Sequence, residues 1–547
     1  MSEEKLSAEV ISVFPNKVRI AVHDIEAFKV DGELLTVGSY LKIFDHKDCA
    51  IIAIIENFSI SLPEVTDTGV REKIYMIEAI PLGLIDSEGT FIRGGNNIAI
   101  PPKSVEIAKK DDIQKIYDGV QKESRFCFSR LSQDLTVDVP VDGNRFFNRH
   151  IAIVGSTGSG KSYTLAKILQ EAIATKKGGY SGLNNSHIVI FDIHSEYKSA
   201  FPEGQANNLE VSSLVLPYWL LNSEELEDFF IESNEEQSHN QIAILKKAIT
   251  VGKQKNFTGD EAAKAKIHYD SPVFFDIEEV LQFIKDKNEE MVPGAKAEKQ
   301  GPLFGKLDNF ITRLENKIND RRLDFLMGSG AKNITPEAVL RQFISYKASE
   351  EANVTIIDLS GVPFEVLSVT VSLISRILFD YAYVSKKIHP QSTNETPLLI
   401  IYEEAHKYVP KAGFSKFNAS KFAIERIAKE GRKYGVTLAI VSQRPSEISE
   451  TIFSQCSNFV AMRLTNPEDQ NYVRRLLPDT LGPLTESLPI LQAGEALLIG
   501  DSVVMPSLVK INECKNCPSS NDIKYLEEWS NEWKTVDFDP LIKKWQD

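Results

Sequence analysis

No stretch of this chain reaches the ~18 consecutive apolar residues of a membrane-spanning helix, so no span is expected. Cysteine is scarce: 547 residues contain five, Cys49, Cys127, Cys456, Cys514 and Cys517, an odd and scattered set that excludes the disulfide framework of a small secreted protein. Positive charge is in deficit. With 62 Lys and Arg against 77 Asp and Glu the formal net charge is -15, which excludes a surface that coats nucleic acid broadly by counterion release and confines any DNA contact to a local patch. The N-terminal MSEEKLSAEV carries acidic residues and lacks the apolar core of a signal peptide. Internal repeats and low-complexity tracts are missing as well. These absences lead to the expectation of a soluble, cytoplasmic protein with no membrane association.

What is present is ample core material. Hydrophobic residues make up 42% and charged residues 25%, ordinary values for globular domains, and the length calls for two or three domains, since single cores stop growing at about 250 to 300 residues. Between residues 7 and 104, short β-rich runs such as AEVISVF, KVRIAVH, SYLKIFD and CAIIAIIENFSI alternate with turn signals, the pattern of a small antiparallel barrel. The reading is an N-terminal barrel over 1–104, a connecting segment over 105–145, an α/β core over 146–500 and a tail over 501–547. In the core, HIAIVG, HIVIFDI, VTIIDLS, PLLIIYEEA and VTLAIVSQ are continuous apolar runs, as in parallel strands buried on both faces. From about 205 to 350 the strand signal gives way to charged, helical sequence, read as an insertion. The tail carries Trp529, Trp533 and Trp545 with little core of its own, so it is expected to dock on another surface.

Gly155-Ser156-Thr157-Gly158-Ser159-Gly160-Lys161-Ser162 matches G-x-x-x-x-G-K-[ST] at each fixed position, between an apolar strand and a helical run that opens with Tyr163. Glycines there let backbone N–H groups approach a phosphate at a helix N-terminus. Lys161 would neutralise the β- and γ-phosphates of ATP, and the Ser162 hydroxyl would ligate Mg²⁺. A second strand ends in Glu403-Glu404, in the manner of a Walker B site: Glu403 for the magnesium shell, Glu404 to polarise the attacking water. Glutamate at 403, where aspartate is commoner, leaves the reach to magnesium open. A third strand ends in Asp192, His194 and Glu196; Glu196 could assist the water, while Asp192 or Ser195 could equally cap the turn. Gln443 ends a fourth strand, where an amide can sense the γ-phosphate.

Upstream of Gln443, Arg426, Lys429, Arg432 and Lys433 crowd a helix end. They read either as favourable charges at a helix C-terminus or as arginine-finger candidates acting on a neighbouring subunit, Arg432 first and Arg426 second. Residues 405–424 hold Lys407, Lys411, Lys416 and Lys421 without any Asp or Glu, a local basic loop that could follow a phosphate backbone or simply be solvated. Cys514 and Cys517 form a single C-x-x-C with no second pair, which is either an inert surface pair or half of a zinc site.

The stretches NRHIAIVGSTGSGKS, FDIHSEY, LLIIYEEAHKYVP and IAKEGRKYGVTLAIVSQRPSEISETIFSQCSNFVAMRL resemble the HerA branch of the HerA/FtsK family of hexameric ATPases. The resemblance implies a HAS-type N-terminal β-barrel, a RecA-like α/β P-loop ATPase core with the helical insertion, and a homohexamer with ATP and Mg²⁺ between neighbours. It further implies Lys161, Glu404, Gln443 and Arg432 as Walker A lysine, Walker B acid, sensor and trans finger. Relatives of this kind translocate double-stranded DNA with a separate effector, a nuclease or, in some bacterial anti-phage systems, a sirtuin-like NAD hydrolase encoded nearby. A competing expectation is a scaffold or regulatory ATPase that gathers and switches such an effector with little processive movement.

Overall fold

The computed structural model describes residues 7–546 apart from 15, 29–34, 47–48, 62–73, 95–102, 175–184, 202–203, 233–237, 295–296, 345–351, 392–394, 412–417, 476–481 and 521–522. Seven strands make the N-terminal sheet: β1 (Ala8–Val13), β2 (Val18–Val22), β3 (Tyr40–His46), β4 (Cys49–Ser61), β5 (Ile74–Ile85), β6 (Phe91–Arg93) and β7 (Lys103–Ile107). Their order is β2-β1-β7-β3-β4-β5-β6, and β2 also pairs with β5, so six strands close a barrel and β6 lies outside the ring. Alternation along the strands sends Val10, Ile20, Ile43, Ile51, Ile77 and Val105 inward, each at most 2% exposed. The barrel's closing strand is β7, paired with both β1 and β3, so the unit runs to Ile107 and the expected boundary at 104 cuts through it.

The core sheet is assembled from β8 (Arg125–Leu131), β9 (Asp138–Asp142), β10 (His150–Val154), β11 (His187–Asp192) and β12 (Ala206–Leu209), and, beyond a small hairpin of β13 (Met291–Val292) and β14 (Lys299–Gln300), from β15 (Val354–Asp358), β16 (Leu398–Tyr402), β17 (Val436–Ser442), β18 (Cys456–Met462), β19 (Glu495–Gly500) and β20 (Ser507–Ile511). The order is β12-β15-β11-β16-β17-β10-β18-β19-β20-β8-β9. From β12 to β18 neighbours run parallel; from β18 onward they run antiparallel. Helices cover the parallel part, which explains why β10, β16 and β17 are buried at every position and read as unbroken apolar runs.

Two expectations change. The segment 105–145 is not merely a connection: after the helix Lys110–Asp118 it supplies β8 and β9, and β8 pairs with β20. β20 in turn belongs to the core sheet, so the core passes beyond residue 500. Helix Phe364–Ile388 is long and apolar enough, by length and composition, to cross a bilayer, although Ser, Thr and Arg376 interrupt its apolar residues; 72% of its most apolar window is buried inside the protein. Past Tyr525 the tail is exposed, with Trp529 at 76%, Trp533 at 94% and Trp545 at 89%.

The insertion is mainly helical, as expected, but its first element, β12, is the edge strand of the core sheet. A buried ion pair fastens the rest. Glu225 caps helix Ser223–Phe230 by accepting from the Asn222 N–H (2.9 Å), and its fully buried carboxylate also accepts from Ser372 Oγ (2.8 Å) and from Arg376 Nε (3.0 Å) and Nη2 (2.8 Å) on the long core helix. Removing the guanidinium leaves that carboxylate short of donors in a dry site. Arg376→Ala is therefore expected to destabilise the fold by about 3–5 kcal/mol, with Glu225→Gln on the same background recovering part of the loss. Thermal unfolding of the parent and the two variants checks this; an Arg376→Ala midpoint equal to the parent's would show that the pair contributes nothing.

Candidate active site

The parallel register aligns the carboxyl ends of β11, β16, β17 and β10 along one edge: Phe191 pairs with Tyr402, Tyr402 with Ile440, and Val154 with Ser442. Ligands in such sheets bind outside these ends. The phosphate-binding loop leaves β10 there and runs into helix Lys161–Ala174. Gly155 N–H donates to Ser442 O (3.2 Å) and Ser156 N–H to Arg463 O (2.7 Å), which fixes the start of the loop. Gly158 (φ 72°) and Gly160 (φ 100°) occupy left-handed backbone, and a Cβ at Gly155 would lie 2.5 Å from Ser159 Oγ and 2.9 Å from Met462 Cβ. Ser159 Oγ is buried and has no hydrogen-bond partner among the described residues, and Gly494 N–H closes the back of the loop on Ser159 O (3.0 Å).

Thr157, Gly158, Gly160, Lys161, Ser162 and Tyr163 line a cavity of about 700 Å³, while Gly155, Ser156 and Ser159 support the loop from behind. Lys161 is 7% exposed and its Nζ donates to Ser156 O (3.3 Å). Burial pushes its pKa down, opposed by Glu404, Glu403 and Glu196.

Glu403 and Glu404 follow β16 and are 2% and 3% exposed. Glu404 has φ 50° and ψ 48°; it and Ser195 (φ 55°) are the non-glycine residues with positive φ among those described, and both lie at strand ends of this site. The kink brings Glu404 Oε1 to Gln443, whose Nε2 donates to it, while Gln443 Oε1 accepts from Thr157 Oγ1 (2.6 Å). One amide thus joins Glu404 to the glycine-rich loop. His406 Nδ1 lies 3.2 Å from Glu404 Oε2. Burial, then Glu404, Glu196 and Asp192, push the Glu403 pKa up to about 9, and Glu403 Oε2 is buried without a partner among the described residues. Ligand atoms of His194, Glu403 and Glu404 fall within 4.8 Å of one another. Two carboxylates and an imidazole gathered in this way suit a divalent cation that also takes phosphate oxygens. Of the expected metal ligands, Glu403 and Ser162 both line the cavity, and His194 joins them.

Glu196 faces the same space. Asp192 does not: its Oδ1 accepts from His194 N–H (3.1 Å) and its Oδ2 from Tyr197 N–H (2.9 Å), so it holds the turn that presents His194 and Glu196. The opposite wall, missed in the sequence, is Ala493–Gly494 and Lys510–Cys514, with Lys510 Nζ donating to Ala493 O (2.7 Å). Arg463, at the end of β18, also lies beside the loop, with Nη2 3.8 Å from where a Gly158 Cβ would sit. A buried strand followed by Met462-Arg463 was the available sign of it.

Arg432 sits elsewhere. It belongs to the turn Gly431–Tyr434 that precedes β17, at the amino edge of the sheet, close enough to His150 at the start of β10 to disfavour that ring's charge. It is exposed and has no ion pair among the described residues. Arg426, by contrast, stacks over Phe379 (4.7 Å) and lies 3.7 Å from Asp380. In the basic loop Lys407 is exposed, Lys411 pairs with Glu450 (3.0 Å), and residues 412–417, Lys416 among them, lie outside the described residues.

Residues 126–378 match the family described as helicase HerA, central domain. A probable helicase of Methanocaldococcus jannaschii is 26% identical over 91% of this chain and 90% of its own length. The DNA double-strand break repair helicase HerA of Saccharolobus solfataricus is 26% identical over 90% of this chain and 87% of its own. Among solved structures, VirB4 of Thermoanaerobacter pseudethanolicus aligns over 72% of this chain and 98% of its own with 13% identity and a TM-score of 0.49. The phosphate loop, the paired acids and the bridging glutamine on a parallel sheet beside a closed barrel thus stand in a chain whose sequence is similar to HerA-type helicases.

Proposed function

We propose that the chain binds ATP with Mg²⁺ in the cavity at the carboxyl edge and works as a cytoplasmic ring of identical subunits, a hexamer, that translocates double-stranded DNA for a separate effector. The observation that carries the ring is the position of Arg432. Exposed and without an ion pair among the described residues, it stands at the amino edge, across the sheet from its own phosphate loop, a position that suits action on the ATP of the next copy. Within the site, backbone N–H groups of 157–161 and Lys161 hold the phosphates, Glu404 takes a proton from the attacking water, and Gln443 reports γ-phosphate loss from loop to acid through its two hydrogen bonds. Bound Mg²⁺ would neutralise phosphate charge, held by Ser162 and Glu403 with His194 at the margin.

Support for DNA as the track comes from relatives named as DNA double-strand break repair helicases. The effector, a nuclease or a sirtuin-like NAD hydrolase in DNA end processing or anti-phage defence, is the outermost part of the proposal. The net charge of -15 and the exposed tryptophans of the tail favour a second reading, a scaffold ATPase that switches an effector without processive movement. Steady-state ATP turnover measured with and without linear duplex DNA separates the two. Severalfold stimulation that disappears in Lys161→Ala is expected for a translocase. Turnover indifferent to DNA across the titration would sink that reading and leave the scaffold.

A further inference from the structure

The C-x-x-C has a place in the fold that its sequence did not disclose. After β20 the chain crosses the mouth of the nucleotide cavity, and both Cys514 and Cys517 line it. Cys514 Sγ donates to Tyr163 O (3.0 Å) in the first turn of the helix that follows the phosphate loop. On either side the crossing is pinned: Gln170 Nε2 donates to Asn516 O (2.7 Å), Ser199 Oγ to Cys517 O (2.8 Å), and Ser519 N–H to Glu196 O (2.9 Å). The segment therefore spans from the phosphate-loop helix to the turn that presents Glu196. A bend at Lys515–Asn516 lies between the two cysteines, which line the same cavity, and both are near enough to the Tyr163 hydroxyl to oppose its ionisation. Cys517 is exposed and Cys514 half-buried, its thiol pushed up to about 11 by burial and then by Cys517. Zinc does not fit: the cluster of potential metal ligands found among the described residues is His194, Glu403 and Glu404, and it includes neither cysteine.

We propose that Cys514 and Cys517 are a reversible oxidation site, at which a peroxide forms a disulfide that loosens the wall of the nucleotide cavity and slows ATP turnover. Exposure makes Cys517 the first to react. Its thiolate attacks one peroxide oxygen, the O–O bond breaks, and a water leaves after protonation, giving a sulfenic acid. The sulfur of Cys514 then attacks that sulfur, the S–O bond breaks, and a second water carries away the Cys514 proton. Two thiols lose two electrons and two protons; one peroxide becomes two waters. The Cys514 S–H no longer exists to donate to Tyr163 O, and the crossing must shift against the helix that begins at Lys161.

The test uses the full chain, reduced, then treated with hydrogen peroxide. Tryptic mass spectrometry is expected to find Ile511–Lys515 joined to Asn516–Lys524, the pair lighter by two hydrogens, a readout that needs neither ATP nor DNA and so stands apart from the translocase reading. The KM for ATP should rise about fivefold, the weight of one lost hydrogen bond, and return with dithiothreitol. Each variant is compared with itself before and after peroxide: Cys517→Ser should lose the response and Cys127→Ser should keep it. Absence of the joined peptide, a joined peptide with unchanged KM, or an equal response in Cys517→Ser would each overturn the proposal.

Discussion

Glu404→Gln is expected to bind ATP as the parent does and to hydrolyse it about 10³-fold more slowly. The substitution keeps the shape of the side chain and can still contact Gln443, so the bridge through Gln443 to Thr157 need not open. What disappears is the acceptor for the proton of the attacking water. Glu403 would not replace it, because in the same site its carboxylate is the one assigned to the bound cation. Single-turnover phosphate release, paired with binding of a fluorescent ATP analogue, reads the two effects separately. A loss confined to binding would mean that Glu404 serves the cation rather than the water.

Arg432→Ala is expected to cost 10³ to 10⁵ in turnover, the range seen where an arginine finger is removed, while each subunit still binds ATP. The reason is geometric: with Arg432 at the amino edge of the sheet and the phosphate loop at the carboxyl edge, the two cannot serve one nucleotide within a chain. This makes a sharper test possible than a single variant. Subunits carrying Arg432→Ala and subunits carrying Lys161→Ala should each be inactive alone, yet mixing them should restore part of the turnover, since some interfaces then join an intact loop to an intact arginine. A mixture as inactive as its components, with ring assembly verified by mass, would remove Arg432 from the mechanism. Arg426 would not take its place, being stacked on Phe379 beside Asp380.

The half of the site that carries the phosphates was legible because its residues are contiguous and their chemistry is local. A G-x-x-x-x-G-K-[ST] loop announces its own turn and helix start, and Glu403-Glu404 at the end of LLIIY announces a strand edge. The parallel strands were legible for a similar reason, since burial on both faces leaves unbroken apolar runs. The remainder depended on distant pairings. β8 reads RFCFSRL, an alternation that says it is half-buried but not against what; its partner β20 lies far along the chain. Gly494, Lys510 and Cys514 reach the cavity only because the sheet turns antiparallel after β18. Asp192 illustrates a different limit: a carboxylate at a strand end can serve a ligand or its own turn, and the hydrogen bonds from His194 and Tyr197 decide for the turn.

That far wall also sets a timetable for synthesis. Cys514 and the Tyr163 carbonyl it meets are 351 residues apart. At about 5–20 residues per second, the phosphate loop leaves the ribosome roughly 20 to 70 s before the strand and crossing that enclose it. For that interval the nascent chain carries a nucleotide loop open on one side, and the pocket takes its final form only when β20 inserts between β19 and the waiting β8.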